Sequence, residues 1–224
     1  MQHVFIIAAF SLMLMPFVLD HRLFRNTFPE AADKSASYIR QIIANSCIVA
    51  AAFAIMGFEP LFFYNGERFA GNGSVFAGTL ASAAILLMTL FPVALAKHPP
   101  ARAALREACR TRSFMLPVSA KENRLFAAAA FTVAVSEEVF FRSFVPQYIQ
   151  DLFGFPDVYA ILAAACLFAL CHLLQGWSGM IQSFFGALLF SLLYISTGNL
   201  LLPVILHFLY DLRLLYINRL LRKE

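Results

Sequence analysis

Long apolar runs, interrupted by charge, proline or glycine, recur along the whole chain. A bilayer core about 30 Å thick is crossed by roughly 20 residues of helix, each rising about 1.5 Å. Seven runs approach this length, at residues 4–19, 41–58, 74–96, 125–149, 158–174, 178–196 and 200–217. The stretch 58–73 collects Glu59, Pro60, Asn65, Gly66, Glu67, Arg68, Gly71 and Asn72, and reads as a loop. The pattern predicts an all-α, polytopic membrane bundle of about seven transmembrane helices.

Composition agrees. Of 224 residues, 61% are apolar and 13% charged, with a mean hydropathy of +0.74. A single soluble globule of this size could not hide such a surplus and still cover itself with polar groups. Nucleic-acid modules, disulfide-stapled secreted domains and disordered tails are excluded together, and no nucleic-acid partner is expected. The four cysteines form no CxxC pair or spaced framework, and the apolar setting of Cys47, Cys166 and Cys171 predicts free, buried thiols.

Charge sets orientation. Apart from Arg142, inside a span, the 17 Lys and Arg residues divide into four after the first span, seven between the third and fourth, four at the C-terminal end and one, Arg68, elsewhere. Because basic residues stay on the cytoplasmic side, this predicts an outside N terminus and a cytoplasmic C terminus. No Lys or Arg precedes the first run, so it reads as a span rather than a cleaved signal peptide. The segment from Pro99-Pro100 to Arg112 reads as a proline-started helix with four arginines, suited to an anionic leaflet surface. An integral protein of a bacterial inner membrane is expected, with the lipid bilayer as a partner.

The chemistry lies in groups that a membrane rejects. Glu137, Glu138, Arg142, His172, His207 and Asp211 all fall within the last four runs. Each ionisable group at mid-bilayer costs roughly 2.5–3.5 kcal/mol on insertion scales, so such a cluster marks a functional site by default. Glu138 and Arg142 are four apart and can pair on one helix face, whereas Glu137 is turned about 100° away and points elsewhere. Glu137 is therefore the chemical candidate, and Glu138 with Arg142 the structural pair. His207 and Asp211 repeat the four-residue interval, as do Phe168 and His172. Counting along the helices places Glu137 near the bilayer midplane, with His172 and His207 at similar depth, and Pro146 and Pro203 as candidate kinks.

At these positions the sequence resembles a known family. Glu137-Glu138-Val-Phe-Phe-Arg142, Phe168-Ala-Leu-Cys-His172 and His207-Phe-Leu-Tyr-Asp211 look like the motifs EExxxR, FxxxH and Hxxx(N/D) of the CAAX protease and bacteriocin-processing family, which includes the type II prenyl endopeptidases. The resemblance implies an intramembrane glutamic endopeptidase that needs no cofactor and acts on a peptide or protein with a membrane-associated segment. By analogy Glu137 activates water with help from His172, while His207 and position 211 stabilise the oxyanion; Glu138, Arg142 and Phe168 support them. The site is expected to open towards the cytoplasm. An ionised Asp cannot donate to an oxyanion, so Asp211, where the best-known eukaryotic members carry Asn, is expected instead to hold His207 in its donating tautomer. The chain reads as one membrane domain: three peripheral spans and a basic cytoplasmic loop, 97–124, in residues 1–124, and a four-helix catalytic core at 125–217.

Three other readings use the same residues or their neighbours. Glu137, His172, His207 and Asp211 suit a hydrolytic zinc site, although HExxH does not occur. Gly176-Trp-Ser178-Gly179 matches the short GxSG element of rhomboid proteases, in a connection where Gly and Ser are common turn formers. Intramembrane carboxylates and histidines also build proton relays, so a transporter, or a scaffold without activity, is the non-enzymatic alternative.

Overall fold

The structure is a computed structural model that describes residues 3–9, 11, 34–64, 72–110 and 116–221. Among these the chain is helical, with one isolated antiparallel bridge, Phe63 to Asn199, and no strand beyond it. The helices are α1 (Ser35–Met56), α2 (Phe58–Phe62), α3 (Asn72–Ala96), α4 (Pro99–Arg110), α5 (Ala120–Glu138), α6 (Val145–Phe153), α7 (Asp157–Cys171), α8 (Gly176–Thr197) and α9 (Leu201–Leu221). Most of the first expected span, 4–19, lies outside the described residues; residues 3–9 are helical.

Among the described residues, four helices are long and apolar enough to cross a membrane: α1, residues Gly73–Ala96 of α3, α8 and α9. The expected span at 158–174 is shorter, since the 15 residues of α7 rise only about 22 Å. Large apolar side chains such as Val75, Phe76 and Leu87 are exposed on the outside of the bundle, as a lipid environment demands. Cys47 and Cys166 also face outward rather than into the core, contrary to expectation, and Cys171 is half-buried.

Residues 58–62 and 72–73 of the stretch read as a loop are helical, and 65–71 lie outside the described residues. Glu59 and Pro60 sit in the first turn of α2, where a carboxylate favours the helix dipole and proline gives up no hydrogen bond. Gly57, at φ +83°, makes the corner between α1 and α2 that a side chain would strain.

Helix α5 carries the site, and its start is firmly tied. Ser119 and Glu122 form a reciprocal capping box, and the fully buried Glu122 carboxylate also accepts from the backbone of Val118 and Lys34. Lys34 in turn donates its Nζ to the Leu116 carbonyl at 2.7 Å, so the beginnings of α1 and α5 form one polar knot. Higher up, the Ser136 hydroxyl donates to Asn45 Oδ1 at 2.6 Å, locking the rotation of α5 against α1.

Beyond Glu138 the helix widens into a π turn, Val139–Phe144, all six residues of which are buried. Its end is marked by Val145 N–H bonding to the Phe140 carbonyl five residues back. Pro146 follows, with no N–H to offer the Arg142 carbonyl, and the wider turn absorbs that break. The kink expected at Pro146 thus takes the form of a π turn. Pro203 lies in the first turn of α9, where no intrahelical bond is lost, and does not play the kinking part expected of it.

Candidate functional site

Three consecutive residues of α5 look in three directions. Ser136 faces α1, Glu137 faces a cavity of about 160 Å³, and Glu138 faces Arg142 and α9. Steps of about 100° per residue send neighbours to different partners, so adjacent glutamates acquire different chemistry.

Glu138 is fully buried and heavily paired. Its Oε2 lies 3.1 Å from Arg142 Nε, and its Oε1 accepts from Arg142 Nη2 at 3.3 Å and from His207 Nδ1 at 2.7 Å. Arg142, 3% exposed, has its guanidinium 5.0 Å from the centroid of the Phe168 ring and 5.8 Å from that of Phe190. A buried cation held by a carboxylate and two aromatic faces is a rigid unit that would be strongly destabilised if halved. The same Phe168 ring packs against His172, at 4.5 Å between centroids, so the first residue of the second motif links the pair to that histidine.

The His207 ring bridges the two glutamates. With Nδ1 donating to Glu138, Nε2 is the nitrogen turned to the cavity, 3.5 Å from Glu137 Oε2 and 3.9 Å from Asp211 Oδ2. The partner that orients the imidazole is therefore Glu138, across 69 residues of sequence, and not Asp211 as the four-residue spacing suggested. Asp211 stands on the other nitrogen, beyond hydrogen-bond length.

His172 sits where α7 breaks. It caps the helix at φ −97°, just before the short 3₁₀ turn Leu173–Gln175 that leads into α8. Its Nδ1 is 2.9 Å from the Phe168 carbonyl, which can only accept, so Nδ1 carries the proton and Nε2 is the basic nitrogen. Glu137, His172, His207 and Asp211 all line the same cavity, together with Phe168. Glu138 and Arg142 stand behind it, so the seven residues singled out from the sequence assemble at one place. Ser178 does not join them: it is exposed in the first turn of α8 and is not part of the cavity wall. Among the described residues, no group of three His, Cys, Asp or Glu side chains has the convergence of a metal cradle.

The cavity also holds residues that the sequence reading passed over. It runs down α5 past Val133, Ala130, Ala129 and Phe126 to Tyr38 and Leu116, near the polar knot. The stripe Phe126, Ala129, Ala130, Val133, Glu137 follows the three- and four-residue spacing of one helix face and spans about 16 Å. Arg213, counted with the basic C-terminal end, lies instead within α9, 6% exposed, on the same cavity. Its signal in the sequence was its place two residues after Asp211 and eight before the end of α9.

The arrangement provides a largely apolar cavity with two carboxylates, Glu137 and Asp211, and two imidazoles on its wall, a set suited to moving protons during hydrolysis. Comparison with known proteins points the same way. No curated protein matches the chain, and no solved structure does. Residues 120–213 match the family model described as "Type II CAAX prenyl endopeptidase Rce1-like", a stretch from the capped start of α5 to Arg213 that contains all three motifs. Over these residues the chain is similar to that family of prenyl endopeptidases.

Proposed function

We propose that this protein is an intramembrane endopeptidase in which Glu137 activates a water molecule. The observation that carries this reading is the contrast in pairing of two adjacent carboxylates: Glu138 is engaged by Arg142 and His207, whereas Glu137 fronts the cavity with one imidazole nitrogen 3.5 Å away. A peptide bond placed in the cavity beside Glu137 and His207 would be hydrolysed in two stages. Glu137 takes a proton from water as the oxygen attacks the carbonyl carbon. The C–N bond then breaks as the amine leaves with that proton, returned by Glu137 or relayed through His172 Nε2.

Nε2 of His207, when protonated, is the donor facing the developing oxyanion, and Glu138 holds the ring in position for it. Asp211 tunes that nitrogen from the side rather than touching the substrate. The substrate is a peptide or protein with a membrane-associated segment, cut near its membrane-proximal or C-terminal end. The topology we propose keeps the N terminus outside and the C terminus cytoplasmic in a bacterial inner membrane, which the one-sided placement of Lys and Arg supports.

The test is comparative analysis of protein termini in cells carrying either the native chain or Glu137→Gln. Termini present only with the native chain identify substrates. Identical termini in both strains would reject the reading. Cleavage by the purified protein that a chelator stops and zinc restores would replace the glutamate mechanism with the metal one.

A further inference from the structure

Asn45 is a costly residue to place in α1. It stands among Ala44, Cys47, Ile48 and Val49 in an apolar span and is 9% exposed, and a side-chain amide so placed is tolerated when both of its ends are hydrogen-bonded. Both are. Nδ2 donates to the Gln41 carbonyl at 2.9 Å, which leaves Oδ1 to accept from the Ser136 hydroxyl at 2.6 Å. Ser136 is fully buried and immediately precedes Glu137. On the other side of Glu137, Glu138 is held by Arg142 at 3.1 Å and by His207 at 2.7 Å. The cavity-facing carboxylate is thus carried between two neighbours, one tied to α1 and the other to α9.

The π turn makes these ties matter. It puts one residue more into the helix than an α turn does, so the point where it begins, at Val139, decides the direction of the residues beside it. At its far side, Ser143 and Gln147 donate to the Pro60 carbonyl of α2 at 3.2 and 2.8 Å. The widened turn is therefore bracketed by two polar ties, and both anchors, Asn45 and Pro60, lie outside the residues 120–213 that match the family model. We infer that Asn45 is a positioning residue: through Ser136 it holds the rotation of α5 at which Glu137 faces the cavity and His207 Nε2. This rests on the peptidase reading above, and it gives the helices before residue 120 a part in the site. Asn45 itself is not in the cavity wall and takes no part in the chemical step.

The test uses the full-length protein reconstituted in nanodiscs and compares Asn45→Ala with the double substitution Asn45→Leu/Ser136→Ala. The single change leaves the Ser136 hydroxyl only the Val133 carbonyl of its own helix. The double change replaces both partners by apolar groups, which is close to neutral for stability. The substrate is a farnesylated peptide whose modified Cys is followed by three apolar residues. We expect both variants to lose at least about tenfold in kcat, as a displaced catalytic group implies, with KM within about twofold of the native value. The double variant is expected to melt like the native chain. Native kcat in Asn45→Ala, or a kcat that recovers together with the melting temperature in the double variant, would overturn the assignment, because a bond that only stabilises the fold gives that result. A second readout needs no turnover. A hydrophobic carbodiimide, which adds whole to a protonated carboxyl, should label Glu137 in the native chain, and the double variant should lose most of that label when its peptides are weighed by mass spectrometry. Equal labelling of Glu137 in both proteins would overturn the assignment. Labelling that depends on Asn45 in a native chain that cleaves nothing would keep the positioning role and reject the hydrolytic reading.

Discussion

The two faces of α5 at the level of the π turn are built from the same residue types and end in different states. On the inner face, Glu138, Arg142 and His207 Nδ1 form a closed set of contacts between 2.7 and 3.3 Å, walled by Phe168 and Phe190. On the cavity face, Glu137 and Asp211 stand 3.5 and 3.9 Å from His207 Nε2, looser than the contacts behind them, and all three line the open cavity. In the proposed function the first is a scaffold and the second the site, and a single imidazole touches both. Adjacent identical residues can thus be divided between structure and chemistry by a helical step of about 100°.

Substitutions can break this division, and the largest effect is expected on the cavity face. Glu137→Gln should lower kcat by about 10²–10⁴-fold, the range for removing a general base, while leaving the melting temperature of the purified protein near that of the native chain. A folded, active Glu137→Gln protein would abolish the distinction. On the inner face, Arg142→Ala strands Glu138 as a buried charge and should destabilise the fold by about 3–5 kcal/mol, read as a fall in melting temperature and in membrane yield. An Arg142→Ala protein as stable and active as the native one would show that the two glutamates are not divided as described.

Smaller changes sharpen the picture. Phe168→Leu removes the ring shared by Arg142 and His172, and a loss of about 1–2 kcal/mol is expected from the cation–π contact and packing together. Asp211→Asn should change kcat by less than about tenfold, because 3.9 Å from Nε2 is too long for the orienting bond, and that bond comes from Glu138. A loss as deep as that of Glu137→Gln would return Asp211 to the centre of the mechanism.

Much of this was legible along the chain because helical periodicity is local. The spacing of Glu138 from Arg142 and of Phe168 from His172 fixed which side chains share a face, and the structure joins both pairs. The bond between Glu138 and His207 was not legible, since it depends on how α9 packs beside α5 and no spacing encodes it. His207 and Asp211 have the same interval as Glu138 and Arg142, yet the closer tertiary partner takes the imidazole. The π turn was hidden for a related reason: Pro146 signals a missing hydrogen bond, but whether the helix kinks or widens depends on what surrounds it. Here Ser143 and Gln147 both donate to the Pro60 carbonyl of α2, so the widened turn has a partner across the bundle. Arg213 was misplaced because a basic residue near a chain end resembles an interfacial charge until its burial is seen.

The most direct test compares Glu137→Gln and Glu138→Gln side by side, measuring peptide cleavage and thermal unfolding of each purified protein in the same nanodiscs. The account predicts a Glu137→Gln protein that melts like the native one and does not cleave, beside a Glu138→Gln protein that melts lower and retains measurable turnover. A Glu137→Gln protein that still cleaves, or a Glu138→Gln protein that is stable and inert, would contradict it.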